Sequence, residues 1–459
     1  MKKWMNIVQN LAIATLVVLC IVQTMQLWYN GYSNRSFLSA FFSSDSEYSA
    51  SDALAGLVRP YRIVAPQDDM FTVLYGNAER AKLRTAGDSV LTQVMRSGEY
   101  VSAYVLNEAA LFASGGVWYE YAVPIPSDVF GLFYQARAGL LTNRFRSFKR
   151  IAMLPHGENG DSVRVVFVDD AARICYEYSV RRTGLGSDIS AALEALPLSA
   201  LHYRAAAVSG GGSPQTALYA DWGDGALPYQ QLRTYSPFGE ITIPNVERIV
   251  VPFFETPSGV MWDVDSSVYT YKDSNAVAKY YPNDMLEFTN YTVHHGTITN
   301  SFASAYVAAA NLLAKDKGVV NEYYLSSYEP KNDGWILTFD YIVNGFPVYM
   351  SQSLSLTLAQ NQLNAAPMTH MIEVEVQSDR VYKYRRYGLA FEVETATLSH
   401  KQTGFTQTLE NATEGIAPAA DAALPLRSVL LGYRADGASS LSLQWLIVDE
   451  SGMPLPSYN

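Results

Sequence analysis

The sequence is poor in cysteine and in charged residues. Of 459 residues, two are cysteines, Cys20 and Cys175, and 17% are charged, against 49% hydrophobic residues. Cys20 lies in the apolar N-terminal run, so Cys175 has no partner for an intramolecular disulfide in the rest of the chain. The large hydrophobic share excludes a disordered stalk and predicts a folded body held by its core, as is typical of a bacterial surface protein.

The common catalytic and phosphate-binding motifs are also missing. The glycines at 210–212 are not followed by Lys-Ser or Lys-Thr, no Gly-x-Ser-x-Gly is present, and no histidine has a glutamate at metalloprotease spacing. Asp263 begins a calcium-like loop, but Val268 stands where that loop needs glycine. We therefore predict no enzymatic activity, no catalytic or metal-binding residues and no cofactor, with Asp263 and Asp265 as exposed acids on a strand.

Histidine and cysteine form no metal-binding pattern in the sequence. The adjacent pair His294-His295 is the one cluster among the six histidines, and neighbours on a strand point to opposite faces. A metal shared by this pair is therefore not expected. Cys175 lies inside a strand pattern, where a buried, inert thiol is the expected state.

The charge balance is acidic. Lys2 and Lys3 account for two of the 33 basic residues, so 31 remain against 44 acidic residues in the rest of the chain. Nucleic acid and anionic lipid headgroups are therefore excluded as expected partners.

An uncharged run follows the two N-terminal lysines. Residues 4–34 carry no charge, Trp4 stands at one end of the apolar stretch, and Trp28 and Tyr29 stand at the other. This pattern predicts a transmembrane helix over 4–29, long enough to cross a bilayer, with aromatic residues at both boundaries. The lysines place residues 1–3 in the cytoplasm and the chain from the linker at 30–52 onward outside the cell. We predict a single-pass protein of the cell membrane.

A cleaved signal peptide is the rival interpretation. Its apolar region would be about 7–15 residues long and would end at a small-residue cleavage site. Here bulky residues, Gln26 to Tyr29, follow the apolar centre instead. The uncleaved anchor is the preferred interpretation.

Five amides lie within the predicted span. They form two groups with helical spacing: Asn6, Gln9 and Asn10 at i, i+3 and i+4, and Gln23 and Gln26 at i and i+3. Amides inside a membrane commonly hydrogen-bond to other helices. The alternative is that they sit in the headgroup region, where an amide is tolerated without any partner.

The remaining chain predicts an α+β fold with antiparallel sheets and helices packed on one face. We expect an N-terminal extracellular domain at 53–205, a middle domain at 206–300 and a C-terminal domain at 301–459. A helix is predicted over 77–96, a hairpin across Asp169-Asp170, and a flexible break at 208–214. The middle domain reads as a meander of short strands.

The C-terminal part contains a tight turn and a suspected repeat. Asn344-Gly345 predicts a hairpin turn, because both residues tolerate positive φ. A helix predicted over 302–317 precedes it, and a weaker helix over 406–414 precedes two later strands. A helix-plus-hairpin unit used at 301–350 and again at 403–459 would explain the similar spacings, although any antiparallel sheet gives such spacings.

The order of several short motifs resembles one family. They are Gln26-Leu27-Trp28 at the end of the span, VWYEYAVPIP (117–126), VYTYKD (268–273), LEFTN (286–290), FDYIVNGFPV (339–348), VYKYRR (381–386) and LQWLIV (443–448). Together they are similar to the YycH family, membrane-anchored regulators of the YycG (WalK) sensor histidine kinase of Gram-positive bacteria. The likeness runs over nearly the whole chain, and each motif alone is degenerate.

The resemblance implies three extracellular domains, the later two sharing a topology with the companion regulator YycI. It implies that the membrane helix contacts the helices of the kinase and adjusts signalling for cell-wall metabolism. The expected partners are thus a YycG/WalK-like kinase, a YycI-like regulator and the membrane. Two other hypotheses remain: an anchored binding module for a cell-wall or protein ligand, and an anchored hydrolase.

Overall fold

The structure is a computed structural model that describes sixteen stretches of the chain. They are 59–67, 70–74, 78–157, 160–196, 202–210, 213–221, 231–237, 239–255, 260–265, 267–292, 301–331, 334–343, 345–361, 367–377, 380–394 and 426–449. All of them belong to the compact unit at 50–459. The described strands form two sheets, and helices pack beside them.

Among the described residues, the first sheet contains nine antiparallel strands. In chain order these are β1 (Arg62–Gln67), β2 (Met70–Leu74), β3 (Glu99–Val105), β4 (Val117–Pro126), β5 (Ser147–His156), β6 (Ser162–Asp169), β7 (Ile174–Arg181), β8 (His202–Gly210) and β9 (Ser213–Asp221). Their order across the sheet is β3-β7-β6-β5-β4-β1-β2-β8-β9. The four described helices of this part are α1 (Ala78–Ser97), α2 (Glu108–Ala113), α3 (Ser127–Phe133) and α4 (Leu185–Glu194).

Helix α1 covers the first sheet as its apolar spacing predicts. Leu83, Val90, Leu91 and Val94 recur at helical period and are fully buried. The helix packs beside α4 and against β6 and β7. The hydroxyl of Tyr119 on β4 donates to the backbone oxygen of Arg84 at 2.8 Å, which fixes helix and sheet together.

The second sheet contains thirteen strands in the described part of the chain. They are β10 (Gln231–Tyr235), β11 (Met261–Asp265), β12 (Val268–Lys272), β13 (Ala276–Tyr280), β14 (Met285–Asn290), β15 (Glu322–Lys331), β16 (Gly334–Val343), β17 (Phe346–Met350), β18 (Ile372–Gln377), β19 (Arg380–Tyr387), β20 (Ala390–Glu394), β21 (Leu426–Ala435) and β22 (Ser440–Asp449). Their order is β11-β12-β13-β14-β19-β18-β16-β17-β21-β22-β10-β20, with β15 paired to β16. Only β17 and β21 pair in parallel among the described strands.

Three described α-helices accompany the second sheet, α5 (Ile243–Val250), α6 (Phe302–Lys315) and α7 (Gln352–Asn361). Helix α6 packs against β16, β18 and β19. Ser301 caps its first turn by accepting a hydrogen bond from the Ser304 backbone N–H at 3.1 Å. Buried alanines, Ala305 and Ala309, allow the helix to lie close to the strands.

The second sheet curls back on itself. Strand β20 ends the sheet, yet only Gly388 and Leu389 separate it from β19 near the middle. The Tyr341 hydroxyl on β16 donates to the Tyr387 backbone oxygen at 3.0 Å, and its ring meets Phe391 of β20 at 6.2 Å. The end of the sheet therefore lies against its own centre.

Several expectations are confirmed. The fold is α+β with antiparallel sheets, and the hairpin across Asp169-Asp170 joins β6 to β7 with Asp169 opposite Ile174. Strands β11 to β14 form the predicted meander. Val343 pairs with Phe346 and Gly345 has φ +81°, so the tight turn lies where Asn344-Gly345 predicts it.

The flexible break predicted at 208–214 is wrong. Strands β8 and β9 run through this stretch and pair from His202 opposite Asp221 to Gly210 opposite Ser213. Glycine-rich composition marks both linkers and hairpin turns, and here the flanking strands complete a sheet edge. The domain boundaries at 205 and 300 stay predictions. The helix predicted at 406–414 lies outside the described residues, so the repeat also stays a prediction.

Candidate functional site

A buried serine, histidine and aspartate meet in the second sheet, but not in the geometry of a catalytic triad. His370 Nδ1 lies 2.8 Å from Asp340 Oδ2 and 3.1 Å from Ser326 Oγ. A triad needs the serine on the other ring nitrogen, Nε2. All three side chains are buried, and Asp340 also accepts the Met371 backbone N–H at 3.1 Å. The trio fastens β16 to the chain before β18.

Other reactive groups are placed as the sequence predicts. Cys175 is fully buried in β7, and burial raises the pKa of its thiol to about 11, which keeps it protonated. Asp263 and Asp265 lie on the exposed strand β11. Within the described stretches no three histidine, cysteine or acidic residues come together as a metal site. His294 and His295 lie outside those stretches.

The first described residues, 59–61, lie where the two sheets meet. Arg59 Nη1 is 3.4 Å from Glu322 Oε1 on β15, in the second sheet. The Tyr61 backbone N–H donates to the Glu120 backbone oxygen at 2.8 Å, and Glu120 lies on β4 of the first sheet. The chain that emerges from the N-terminal segment is thus attached to both sheets within three residues.

Arg80 of α1 completes the polar part of this contact. Its guanidinium donates to the Pro60 backbone oxygen and forms an ion pair with Glu322 Oε1 at 3.3 Å. Burial lowers the pKa of Arg80 to about 10, and Glu322 opposes that shift. The guanidinium therefore stays charged at neutral pH, and a single carboxylate holds two arginines.

Aromatic side chains form the apolar part. The rings of Tyr61 and Tyr324 lie 5.4 Å apart, and Tyr324 is 1% exposed. The Tyr328 hydroxyl donates to the Pro124 backbone oxygen of β4 at 2.8 Å, and its ring packs at a tilt against Phe302, with ring centroids 4.4 Å apart. These contacts link β4 of the first sheet through β15 to helix α6 of the second.

We call the set Arg59, Pro60, Tyr61, Arg80, Glu322 and Tyr324 the sheet junction. Any rotation of one sheet against the other must stretch or break its contacts. Residues 59–61 would move in such a rotation, because they contact both sheets.

Sequence reasoning missed the sheet junction. Arg59 and Arg80 lie 263 and 242 positions from Glu322, and no local pattern joins residues so far apart. The one available signal was position, because the Arg-Pro-Tyr sequence at 59–61 lies seven residues after the end of the predicted linker at 52.

The candidates named from the sequence lie outside the described residues. The structure describes no residue before Arg59, so it does not describe the predicted span at 4–29 or its amides, Asn6, Gln9, Asn10, Gln23 and Gln26. Among the described residues, no helix combines the length and apolarity needed to cross a membrane.

Comparison with known proteins identifies the fold. No family model and no curated protein sequence matches the chain. Among solved structures, the chain is similar to YycH from Bacillus subtilis with a TM-score of 0.55 and 12% identity, over 87% of this chain and 96% of that one. An uncharacterised protein from Eubacterium rectale has a TM-score of 0.33, 10% identity and coverage of 48% and 76%, too distant for any argument. The fold is thus YycH-like.

Proposed function

We propose that this protein is a YycH-type, membrane-anchored regulator of a sensor histidine kinase in a two-component system that controls cell-wall metabolism. The YycH-like fold over nearly the whole of both chains carries the proposal. The ordered motifs from Gln26-Leu27-Trp28 to the 443–448 strand support it independently. A YycI-like regulator is the proposed companion. The proposal assigns no catalytic step to the chain.

The proposed topology has the N-terminus in the cytoplasm and the folded part outside, with an uncleaved span at 4–29. Lys2 and Lys3 before an uncharged run support it. Protease added to intact protoplasts should remove the bulk of the chain. Full protection, or a mature N-terminus near residue 34, would contradict the topology.

Within this proposal the sheet junction passes the state of the external part to the anchor. The chain that follows the span and linker reaches the junction at Arg59, where Glu322 and Arg80 hold it. A ligand or partner that shifts one sheet against the other would change the tension or position of the helix. Such a shift needs a difference in binding free energy between the two arrangements.

Contact with the kinase is proposed to run through the five amides of the span. Interhelical hydrogen bonds in a bilayer contribute roughly 0.6 kcal/mol on average and up to about 1.7. One amide would therefore shift a kinase equilibrium only several-fold, and a cluster would shift it further.

Replacing Asn6, Gln9, Asn10, Gln23 and Gln26 with leucine tests this contact. Insertion should persist, because the span becomes more apolar. Co-purification with the kinase should weaken and kinase output should change.

A matched control replaces five apolar residues of the same span with leucine: Ile7, Val8, Ile13, Val17 and Val18. It should bind and regulate as the original protein does. If the amide variant also binds and regulates normally, the contact lies outside the amides, and the external part must carry it.

An anchored binding module is the second candidate function. The exposed apolar side chains of β11, with Met261 62% and Trp262 51% exposed, favour it. Exchanging residues 4–29 for an unrelated span distinguishes the two functions. It should abolish regulation through the membrane and leave ligand binding by the external part unchanged.

A further inference from the structure

Strand β11 is an open edge of the second sheet. It pairs with β12 on one side, and no described strand pairs with its other side. All five residues are exposed, including Met261, Trp262 and Val264. An edge of this kind presents backbone N–H and C=O groups to any extended chain that approaches.

One face of β11 continues the core face of the sheet beyond its helical cover. Trp262 lies opposite Tyr271 and Val264 opposite Tyr269, and cross-strand pairs share a face. The two tyrosine hydroxyls donate to backbone oxygens at the start of α5, at 3.4 Å and 3.1 Å. The helix therefore covers β12, whereas Trp262 and Val264 extend past it.

The other face of β11 is acidic. Met261, Asp263 and Asp265 all lie on this face, because every second residue of a strand points the same way. Asp263 lies opposite Thr270, and Asp265 lies opposite Val268. Asp263 Oδ1 accepts the Val264 backbone N–H at 2.8 Å. The Val264 N–H is thus bound only to a neighbouring side chain in this contact. A backbone carbonyl of an incoming strand can take the place of that carboxylate.

Two other edge strands differ from β11. Strand β20 has a similar alternation of glutamates and valine at 392–394, but Arg233 of β10 lies opposite Glu392. Strand β3 has a register shift between Tyr100 and Ser102, and such a bulge interrupts pairing at an edge. The register of β11 with β12 is regular throughout.

The aspartates decide which occupant fits. Antiparallel pairing with β11 of a second copy, centred on Asp263, would bring two aspartates face to face, and like charges directly opposite are destabilising. Basic side chains at alternate positions of a different strand would instead meet Asp263 and Asp265. Apolar side chains between them would cover Trp262 and Val264.

We propose that β11 is a docking edge that takes up an extended segment of a partner protein in which basic and apolar residues alternate. The segment adds a strand to the sheet, so that backbone hydrogen bonds give affinity and the alternation gives specificity. The proposal concerns residues 261–265 alone and does not depend on the anchor-based mechanism.

The test uses the full-length protein in detergent and a labelled peptide of alternating lysine and valine. Fluorescence anisotropy should show binding that weakens with salt. A peptide of the same composition with its lysines clustered, and one of alternating glutamate and valine, should bind weakly. Equal binding of the clustered peptide, or no binding of the alternating one, would overturn the proposal.

Charge reversal at the edge gives the decisive variant. Asp263→Lys with Asp265→Lys should weaken binding of the lysine peptide by roughly tenfold or more and improve binding of the glutamate peptide. Glu392→Lys with Glu394→Lys makes the same change in net charge on β20 and should leave both affinities unchanged. Equal losses in the two variants would mean that the peptide follows overall charge, which contradicts a site at β11.

A backbone variant separates strand addition from simple charge attraction. Val264→Pro removes the N–H that now binds Asp263, and proline is tolerated on an edge strand where the N–H faces outward. Circular dichroism should be unchanged, and binding of the lysine peptide should be lost. Retained binding by a folded Val264→Pro protein would count against strand addition.

Discussion

A fully buried ion pair links helix α6 to strand β19. Arg386 Nε lies 2.7 Å from Asp316 Oδ2, and neither side chain is exposed. The same carboxylate accepts the Tyr384 hydroxyl at 2.6 Å and the Gly318 backbone N–H at 2.7 Å. A Cβ on Gly388 would lie 1.6 Å from Arg386 Nη1, so the glycine leaves the space that the guanidinium fills.

Removing one partner of this pair should be costly. Asp316→Ala leaves a buried guanidinium without its carboxylate, and we expect a loss of about 3–5 kcal/mol, seen as a lower melting temperature. Asp316→Ala with Arg386→Met should be more stable than Asp316→Ala alone, because the uncompensated charge is gone. A double variant no better than the single one would show that the pair acts through packing rather than charge.

Asp284 provides a pH-dependent contribution to stability. It lies in the turn between β13 and β14 with φ +61° and accepts the hydroxyls of Tyr280 at 2.7 Å and Ser236 at 2.8 Å. Burial raises the pKa of its carboxyl, although the two hydroxyls and Arg386 oppose that shift. An acid whose pKa is raised by folding destabilises the folded state when it is ionised. This destabilisation shrinks as the pH falls below the raised pKa, and it is gone once the pH reaches the pKa of the unfolded chain.

Asp284→Asn should therefore raise the melting temperature at pH 7. Asparagine accepts the same hydroxyl hydrogen bonds and tolerates positive φ, but carries no charge. The advantage over the original protein should shrink as the pH is lowered through the raised pKa to about 4. Melting curves of both proteins over that range test it, and a difference that does not change with pH would be contrary to expectation.

At the scale of elements, local turn chemistry sets the register of β16 and β17. Gly345 has positive φ, and Val348 and Met350 beyond it are fully buried. A shift by one residue would turn these side chains out of the core. The hairpin therefore positions the strand that pairs in parallel with β21.

Asn344→Val with Gly345→Val should destabilise the second sheet. Valine resists the positive φ at Gly345, at a cost of roughly 1–2 kcal/mol for that position. The melting temperature should fall, while Asn344→Asp, which keeps a turn-forming pair, should leave it nearly unchanged. An unaltered melting temperature in the valine variant would mean that the turn tolerates a different geometry.

Elements with a strong pattern were predictable, and most of the short helices were not. The spacing of Leu83, Val90 and Val94 indicated α1, and the alternation around Asp169-Asp170 indicated a hairpin. Helices α2, α3, α5 and α7 have ten residues or fewer and were not predicted. In so short a segment the helical period barely repeats, so tertiary contacts decide the conformation.

At the scale of the whole molecule, the sheet junction joins three distant parts of the chain. The Glu322 side chain is 34% exposed, so solvent weakens its ion pairs, whereas Arg80 is buried. We therefore expect the carboxylate to control local order at the junction more than overall stability.

Glu322→Lys places a third cation beside Arg59 and Arg80 and should loosen residues 59–62. Amide hydrogen exchange at Tyr61, whose N–H binds Glu120, should accelerate by on the order of tenfold, with little change in melting temperature. Glu329→Lys, at an exposed position of the same strand, is the matched control. Unchanged exchange at 59–62 in the Glu322 variant would remove the junction as a coupling device.

The sequence by itself determined the local features of this protein. The charge and apolar pattern of residues 1–34 predicts an anchor, Asn344-Gly345 predicts a turn, and alternating strands predict antiparallel sheets, because each of these depends on neighbours along the chain. Only the tertiary structure decided that 208–214 lies in a hairpin, that Glu322 holds Arg59 and Arg80, and that β11 is left open. Those outcomes depend on which distant strands pair and which helices cover them, and that choice is made by packing over hundreds of residues rather than by local pattern.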